Sequence, residues 1–182
     1  MSSTETYCGA RFHYNNIEDS YILIEDIAHS LAQQCRYNGH CSRFYSVAEH
    51  SIHVASILPP ALRLFGLLHD AAEAYVGDMA KPLKDLPLNA GFKLLEQRIQ
   101  RHIFNVLIGD LPGSSQRHLI HEADMDVLTT EAEVLMVSGG EGWEATEGRV
   151  GADIVMWEYG CKDAEAAFLS EYNELVGEDG DD

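Results

Sequence analysis

The stretch Leu64-Phe65-Gly66-Leu67-Leu68-His69-Asp70-Ala71-Ala72 decides how this chain is read. Its apolar run suits a buried helix, yet an imidazole and a carboxylate sit side by side within it. An ionisable pair in that setting must be paired or metal-bound, because an unpartnered buried charge is strongly unfavourable. A divalent cation is the natural partner. On a helix, Glu73 shares a face with His69, four positions earlier, and can orient water or donate a proton beside the ion. Asp70 lies about a quarter turn away and still reaches it.

Working outward, the surroundings are mostly helical. Pro59-Pro60 ends one helix and opens the next, since proline is tolerated at the first helical position and not within. The helix carrying His69 and Asp70 is thus expected over residues 61–75. Before it, Ser46-Val47-Ala48-Glu49 reads as a capping box, with the Ser46 side chain on the third amide and Glu49 reaching back. That places His50 in the first turns of a helix. Residues 25–35 have a helical apolar face through Ile27, Ala28 and Leu31. Residues 36–45 have no period and read as a loop. A short β-ribbon is expected over residues 7–24, around the turn signal Asn15-Asn16.

Downstream, a connector over residues 77–84 leads to an amphipathic helix near 90–108, broken at Leu111-Pro112-Gly113. Ser114 or Ser115 caps the next helix, running to about Val137 and holding Asp124, Asp126 and Glu131. Residues 138–151 are a Gly-rich surface loop, and a last helix spans 163–176. The expectation is an all-α helical bundle with a short N-terminal β-ribbon: one domain over residues 1–176 and an acidic disordered tail over 177–182.

Composition narrows the function classes. Of the net charge of -18, residues from 120 onward supply -16, with only Arg149 and Lys162 against 18 acidic side chains. This balance argues against a nucleic-acid duplex as partner, whose affinity comes largely from Lys and Arg on phosphates. No run of about 18 apolar residues occurs and the N-terminus lacks the pattern of a signal peptide, so a cytoplasmic protein without a membrane segment is expected. Cys8, Cys35, Cys41 and Cys161 form no C-x-x-C pair and are expected to be reduced.

A catalytic divalent ion wants about two imidazoles, one or two carboxylates, and positions left open for water and substrate. Three helical segments offer this set. His50 comes from one, His69 and Asp70 from another, and either Asp124 or Asp126 from a third. Periodicity alone does not choose between the last two. Two His and two carboxylates suit Mn, Fe, Co, Ni or Zn, so one divalent ion is implied without its identity.

The strings Val47-Ala48-Glu49-His50-Ser51, Leu67-Leu68-His69-Asp70-Ala71-Ala72-Glu73-Ala74, Gly77-Asp78, Pro82-Leu83-Lys84 and Glu122-Ala123-Asp124 follow the pattern H…HD…D. They resemble the compact HD-domain phosphohydrolases, in particular the 5′-deoxynucleotidase and deoxynucleoside triphosphate triphosphohydrolase branch, which includes bacteriophage members. The resemblance covers roughly residues 24–135. It implies an HD-domain bundle in which His50, His69, Asp70 and Asp124 hold one divalent metal, with Glu73 as the adjacent acid/base. It also favours Asp124 over Asp126 and places the Pro82-Leu83-Lys84 segment at the phosphate end.

The expected chemistry is attack on the α-phosphorus of a deoxynucleotide, with the nucleoside 5′-oxygen leaving; Asp70 and Glu73 manage the protons. Lys81, Lys84, Arg36 and Arg43 are the expected phosphate clamp. In the aperiodic loop, Tyr37 or Phe44 can stack on a base, Asn38 can read its edge, and Gly39 leaves room for close approach. The leading expectation is a dNTP triphosphohydrolase, dATP included, releasing deoxynucleoside and triphosphate. A dNMP 5′-nucleotidase would use the same ligands. A third possibility, of another class, is an acidic regulatory binding module that keeps a structural metal. The amphipathic last helix and the resembling family also point to a homo-oligomer.

Overall fold

The computed structural model of the protein describes residues 3–178. Strands β1 (Ser3–Glu5) and β2 (Arg11–His13) pair antiparallel, with Ser3 opposite His13 and Glu5 opposite Arg11. Eight α-helices follow among the described residues: α1 (Ile24–Gln33), α2 (Val47–Ile57), α3 (Pro60–Leu67), α4 (Glu73–Val76), α5 (Lys81–Lys84), α6 (Ala90–Leu107), α7 (Ser114–Leu135) and α8 (Cys161–Glu178). This is the all-α architecture with a short N-terminal ribbon. No helix among the described residues is long and apolar enough to cross a membrane.

The ribbon turns earlier than expected. Its loop is Thr6–Ala10, closed by the Thr6 amide on the Ala10 carbonyl at 2.9 Å, and Gly9 takes the positive φ of +82°. Glycine adopts that conformation without a Cβ penalty, which outweighs the turn preference of Asn15-Asn16. Those asparagines lead instead into a 3-10 turn, Ile17–Asp19. Phe12 of β2 is fully buried and stacks on Tyr75, which fastens the ribbon to the bundle.

Helix α2 lies at the centre, packed against α1, α3, α7 and α8. A helix enclosed on all sides is normally apolar all round. Yet α2 buries Glu49, His50, Ser51 and His53 among its apolar residues. Its start is half of the expected box: the Ser46 hydroxyl accepts from the Glu49 amide at 3.0 Å, whereas the Glu49 carboxylate turns inward, 3.8 Å from His53 Nε2.

The helix expected over residues 61–75 is interrupted. It divides into α3 and α4, with His69 and Asp70 in the break between them. The cause is local hydrogen bonding: His69 Nδ1 donates to the Gly66 carbonyl at 2.7 Å. Successive amides fall back by three residues, Ala71 on Leu68 at 3.1 Å and Glu73 on Asp70 at 2.9 Å.

Two other boundaries move. Gly113, not Ser114 or Ser115, precedes α7; its amide donates to Gln116 Oε1 at 2.7 Å. Helix α8 begins before residue 163 and continues through Gly177 and Glu178, so the first two residues of the expected tail are helical. Residues 179–182 lie outside the described residues.

The α2–α3 crossing depends on Gly66. A Cβ there would overlap Leu58 Cδ1 and press on Ala55 Cα at 3.3 Å, whereas one at Gly91 in α6 meets nothing within 4 Å. Gly66→Ala is therefore expected to destabilise by about 1–3 kcal/mol. Gly91→Ala should instead stabilise, by about 0.4–1 kcal/mol. Urea unfolding of both variants checks the pair.

Candidate metal centre

Three segments bring their side chains to one point. The Nε2 atoms of His50, from α2, and His69, from the α3–α4 break, stand 3.3 Å apart. Asp124 Oδ1, from α7, lies 3.2 Å from the first and 3.9 Å from the second. These three residues each offer one donor atom, all within 4.8 Å of one another, and could hold a metal ion. Asp70 Oδ2 approaches the same imidazoles, 3.3 Å from His69 Nε2 and 3.7 Å from His50 Nε2.

Both rings are oriented from behind. His50 Nδ1 is 2.6 Å from Glu131 Oε1, and His69 Nδ1 is bonded to the Gly66 carbonyl. With a proton on each Nδ1, both Nε2 lone pairs face the common point, the arrangement by which carboxylates and carbonyls orient metal-binding histidines. Two ring nitrogens this close share either a proton or a metal ion. Two imidazoles with adjacent carboxylates are a donor set that fits a divalent cation.

Proton affinities follow the same electrostatics. Burial works against a charged His69, but Asp70 and Asp124 outweigh it and push its pKa up to about 9. Asp124 and Asp70 are desolvated, yet the two imidazoles hold both below the usual carboxylate range. Glu131 is fully buried; Arg36 and His50 nevertheless hold it down to about 2.

Glu131 was visible in the sequence only as an acid seven positions after Asp124, and it carries the support of the site. Its second oxygen accepts from Arg36 Nε at 3.1 Å and from the Tyr37 hydroxyl at 2.6 Å. Gln100 of α6 gave no sequence signal. Its side-chain amide donates to the Leu68 carbonyl at 2.6 Å and accepts from the Ala72 amide at 2.9 Å, bridging the break that presents His69 and Asp70.

Glu73 lies beside the centre, in a cavity of about 200 Å³ lined by His69, Asp70, Lys84, Glu96 and Gln100 among others. Lys84 Nζ bonds Glu96 at 2.8 Å and Glu73 Oε1 at 3.2 Å, while Glu73 Oε2 is buried without a hydrogen bond. Burial pushes the Glu73 carboxyl well above the usual range, and the charges of Asp70 and Asp78 push it further.

The remaining expected substrate residues separate. Arg36 is buried on Glu131, with its Nη1 3.9 Å from Asp70. Lys81 is an exposed partner of Asp85, Pro82 is exposed in the first turn of α5, and Arg43 Nη1 caps the Phe44 carbonyl. Phe44 is half-buried; Asn38 and Gly39 are exposed. Tyr37 and Asn38 both adopt left-handed backbone, φ 56° and 51°, uncommon for residues with a side chain. The Tyr37 ring also meets Trp143, 5.9 Å between centroids. On α7, Asp126 faces away from the centre and pairs with Arg149, which also grips both oxygens of Glu122.

Behind the centre, His53 stacks on Trp157 at 4.5 Å and lies near Glu49, whose carboxylate is buried without a hydrogen bond.

The fold and site together define an all-helical protein with a His/Asp group able to hold a metal. No protein-family model matches the sequence. It is similar to the uncharacterized protein YfdR of Escherichia coli strain K12, 36% identical over 148 residues that cover 81% of this chain and 80% of YfdR. The uncharacterized protein RCAP_rcc00048 of Rhodobacter capsulatus is 39% identical over 123 residues, 62% of each chain. The chain belongs to the YfdR family.

Two outcomes follow. Because the folded pKa of Glu131 lies below its ordinary 4.5, its ionised form stabilises the fold above that pH, and the contribution is lost as pH falls towards 2. The stability difference between wild type and Glu131→Gln should shrink over that window in acid-titrated urea unfolding. Gln100→Leu strands the Ala72 amide and leaves the Leu68 carbonyl only its bond from the Ala71 amide, and should cost about 1–3 kcal/mol. It should also weaken Mn binding by calorimetry, with Gln100→Glu intermediate in both.

Proposed function

We propose that the chain is a metal-dependent phosphohydrolase of deoxynucleotides. The observation that carries this reading is the pair of Nε2 atoms 3.3 Å apart, each ring fixed from behind, with Asp124 and Asp70 against them. The substrate class is supported by the resemblance of the H…HD…D strings to the HD-domain phosphohydrolases. His50, His69, Asp124 and Asp70 would hold the ion. A bound dication lowers the pKa of water and polarises a phosphoryl oxygen.

The chain's own residues divide the remaining work. Hydrolysis at the α-phosphorus forms a bond from water oxygen to phosphorus and breaks the bond to the nucleoside 5′-oxygen, which must take a proton. Glu73 is suited to give it, since burial favours its protonated form and Oε2 has no competing partner. Asp70, held ionised by His69, can accept a hydrogen bond from the attacking water and orient it, that water's proton passing to solvent. Lys84 supplies positive charge to a phosphate entering the cavity, where it would exchange a carboxylate partner for a phosphoryl oxygen.

The dNTP triphosphohydrolase reading, with dATP among the substrates, rested on several cations beside the site. One observation favours the dNMP 5′-nucleotidase instead: of Lys81, Lys84 and Arg36, only Lys84 lines the cavity, the others being engaged with Asp85 and Glu131.

Product analysis decides. With protein loaded with Mn or Co, release of triphosphate and deoxyadenosine from dATP establishes the triphosphohydrolase reading, whereas phosphate from dAMP alone establishes the monophosphate reading. No turnover of any dNTP, NTP or dNMP across Mn, Fe, Co, Ni and Zn overturns both. His69→Ala and Asp124→Ala should abolish metal uptake and turnover together, with Asp126→Ala near wild type. Glu73→Gln should retain metal and lose about 10²–10⁴-fold in kcat.

A further inference from the structure

We infer that Cys35 and Cys41 form a site of reversible oxidation, a disulfide clasp on the loop that supports the candidate centre. The two sulfurs stand 3.5 Å apart, and both cysteines are half-buried and free. A disulfide needs a separation of about 2.05 Å, so roughly 1.5 Å of approach closes the bond. Cys41 also lies 3.7 Å from the Arg36 carbonyl, which turns its sulfur back over the loop.

The segment so closed is a demanding one. Between the cysteines run Arg36 and Tyr37, which grip Glu131, and then Tyr37, Asn38 and Gly39 follow one another in left-handed backbone. Successive residues of that kind persist only where their surroundings hold them. The ends are already pinned, by the Arg36 amide on the Tyr45 carbonyl and the Ser42 amide on the Leu135 carbonyl, both 2.9 Å. A covalent link across Cys35 and Cys41 removes open states of the loop and so stabilises the conformation that it holds.

The step balances with a small disulfide such as oxidised glutathione as oxidant. One cysteine, deprotonated, attacks a glutathione sulfur and expels a glutathione thiolate. The second, deprotonated, attacks the cysteine sulfur of the mixed disulfide and expels the other thiolate. The two cysteines lose two protons and two electrons, and two glutathione thiols are formed. Neither the metal nor any nucleotide takes part, so this inference stands apart from the proposed phosphohydrolase chemistry.

The test uses the full, reduced chain with excess oxidised glutathione. Free thiols counted in denaturant should fall from four to two. Intact mass should drop by two hydrogens, a linked peptide should join Cys35 to Cys41, and dithiothreitol should reverse all three. The oxidised protein should melt several degrees higher than the reduced one, a gain that both Cys35→Ser and Cys41→Ser abolish. An unchanged thiol count, a lasting glutathione adduct, a link through Cys8 or Cys161, or an oxidised form that melts no higher would each overturn the inference.

Discussion

The buried carboxylate of Glu131 is the constraint on which the rest of the site depends. With no solvent exposure, it must satisfy both oxygens inside the protein, and it does so with His50 on one and with Arg36 and Tyr37 on the other. Each partner needs it in return. Arg36 would lose its nearest carboxylate and keep only Asp70 at 3.9 Å, and His50 would lose what sets its tautomer. Burial and the positive charge of Arg36 oppose charging of His50, but Glu131 and Asp124 outweigh them and raise its pKa. One anion thus ties α7, α2 and the loop after α1 into a single unit.

The centre is assembled by departures from regular structure. A continuous helix through residues 61–75 would send its carbonyls along its own axis, leaving Gly66 unable to fix the His69 ring as it does. Across the break, Gln100 accepts from the Ala72 amide and gives the Leu68 carbonyl a second donor beside the Ala71 amide. Unsatisfied backbone groups in so enclosed a place are costly, which makes a distant glutamine part of the presentation of His69 and Asp70. In the same way, a central helix crowded with polar side chains is stable only because α7 and the loop supply their partners.

Much of this was legible in the sequence, for identifiable reasons. Proline pairs, apolar periods and the Ser46 cap are local signals, and they located α2, α6, α7 and the start of α3 to within a few residues. His69 and Asp70 were legible because imidazole and carboxylate in apolar surroundings require a partner, whereas His50 and Asp124 were picked out by the H…HD…D strings. What escaped depends on contacts between distant segments. Glu131 resembles any acid in an acidic stretch until Arg36 is seen against it. The interruption at His69 arises from a side-chain bond that no helical period encodes. Lys81 and Lys84 look equivalent three residues apart, but the turn of α5 sends one to Asp85 and the other into the cavity. The Asp124 and Asp126 ambiguity ends only when Arg149, from a loop without pattern, takes the latter.

The stacking of Trp157 on His53 and the approach of Trp143 to Tyr37 give the molecule a pair of intrinsic optical reporters, since the chain has two tryptophans. One reads the interior behind α2, the other the rim where the left-handed loop meets the Gly-rich segment. Replacing either with phenylalanine leaves a single emitter. Fluorescence can then follow events at the rim and in the interior separately, without an attached dye.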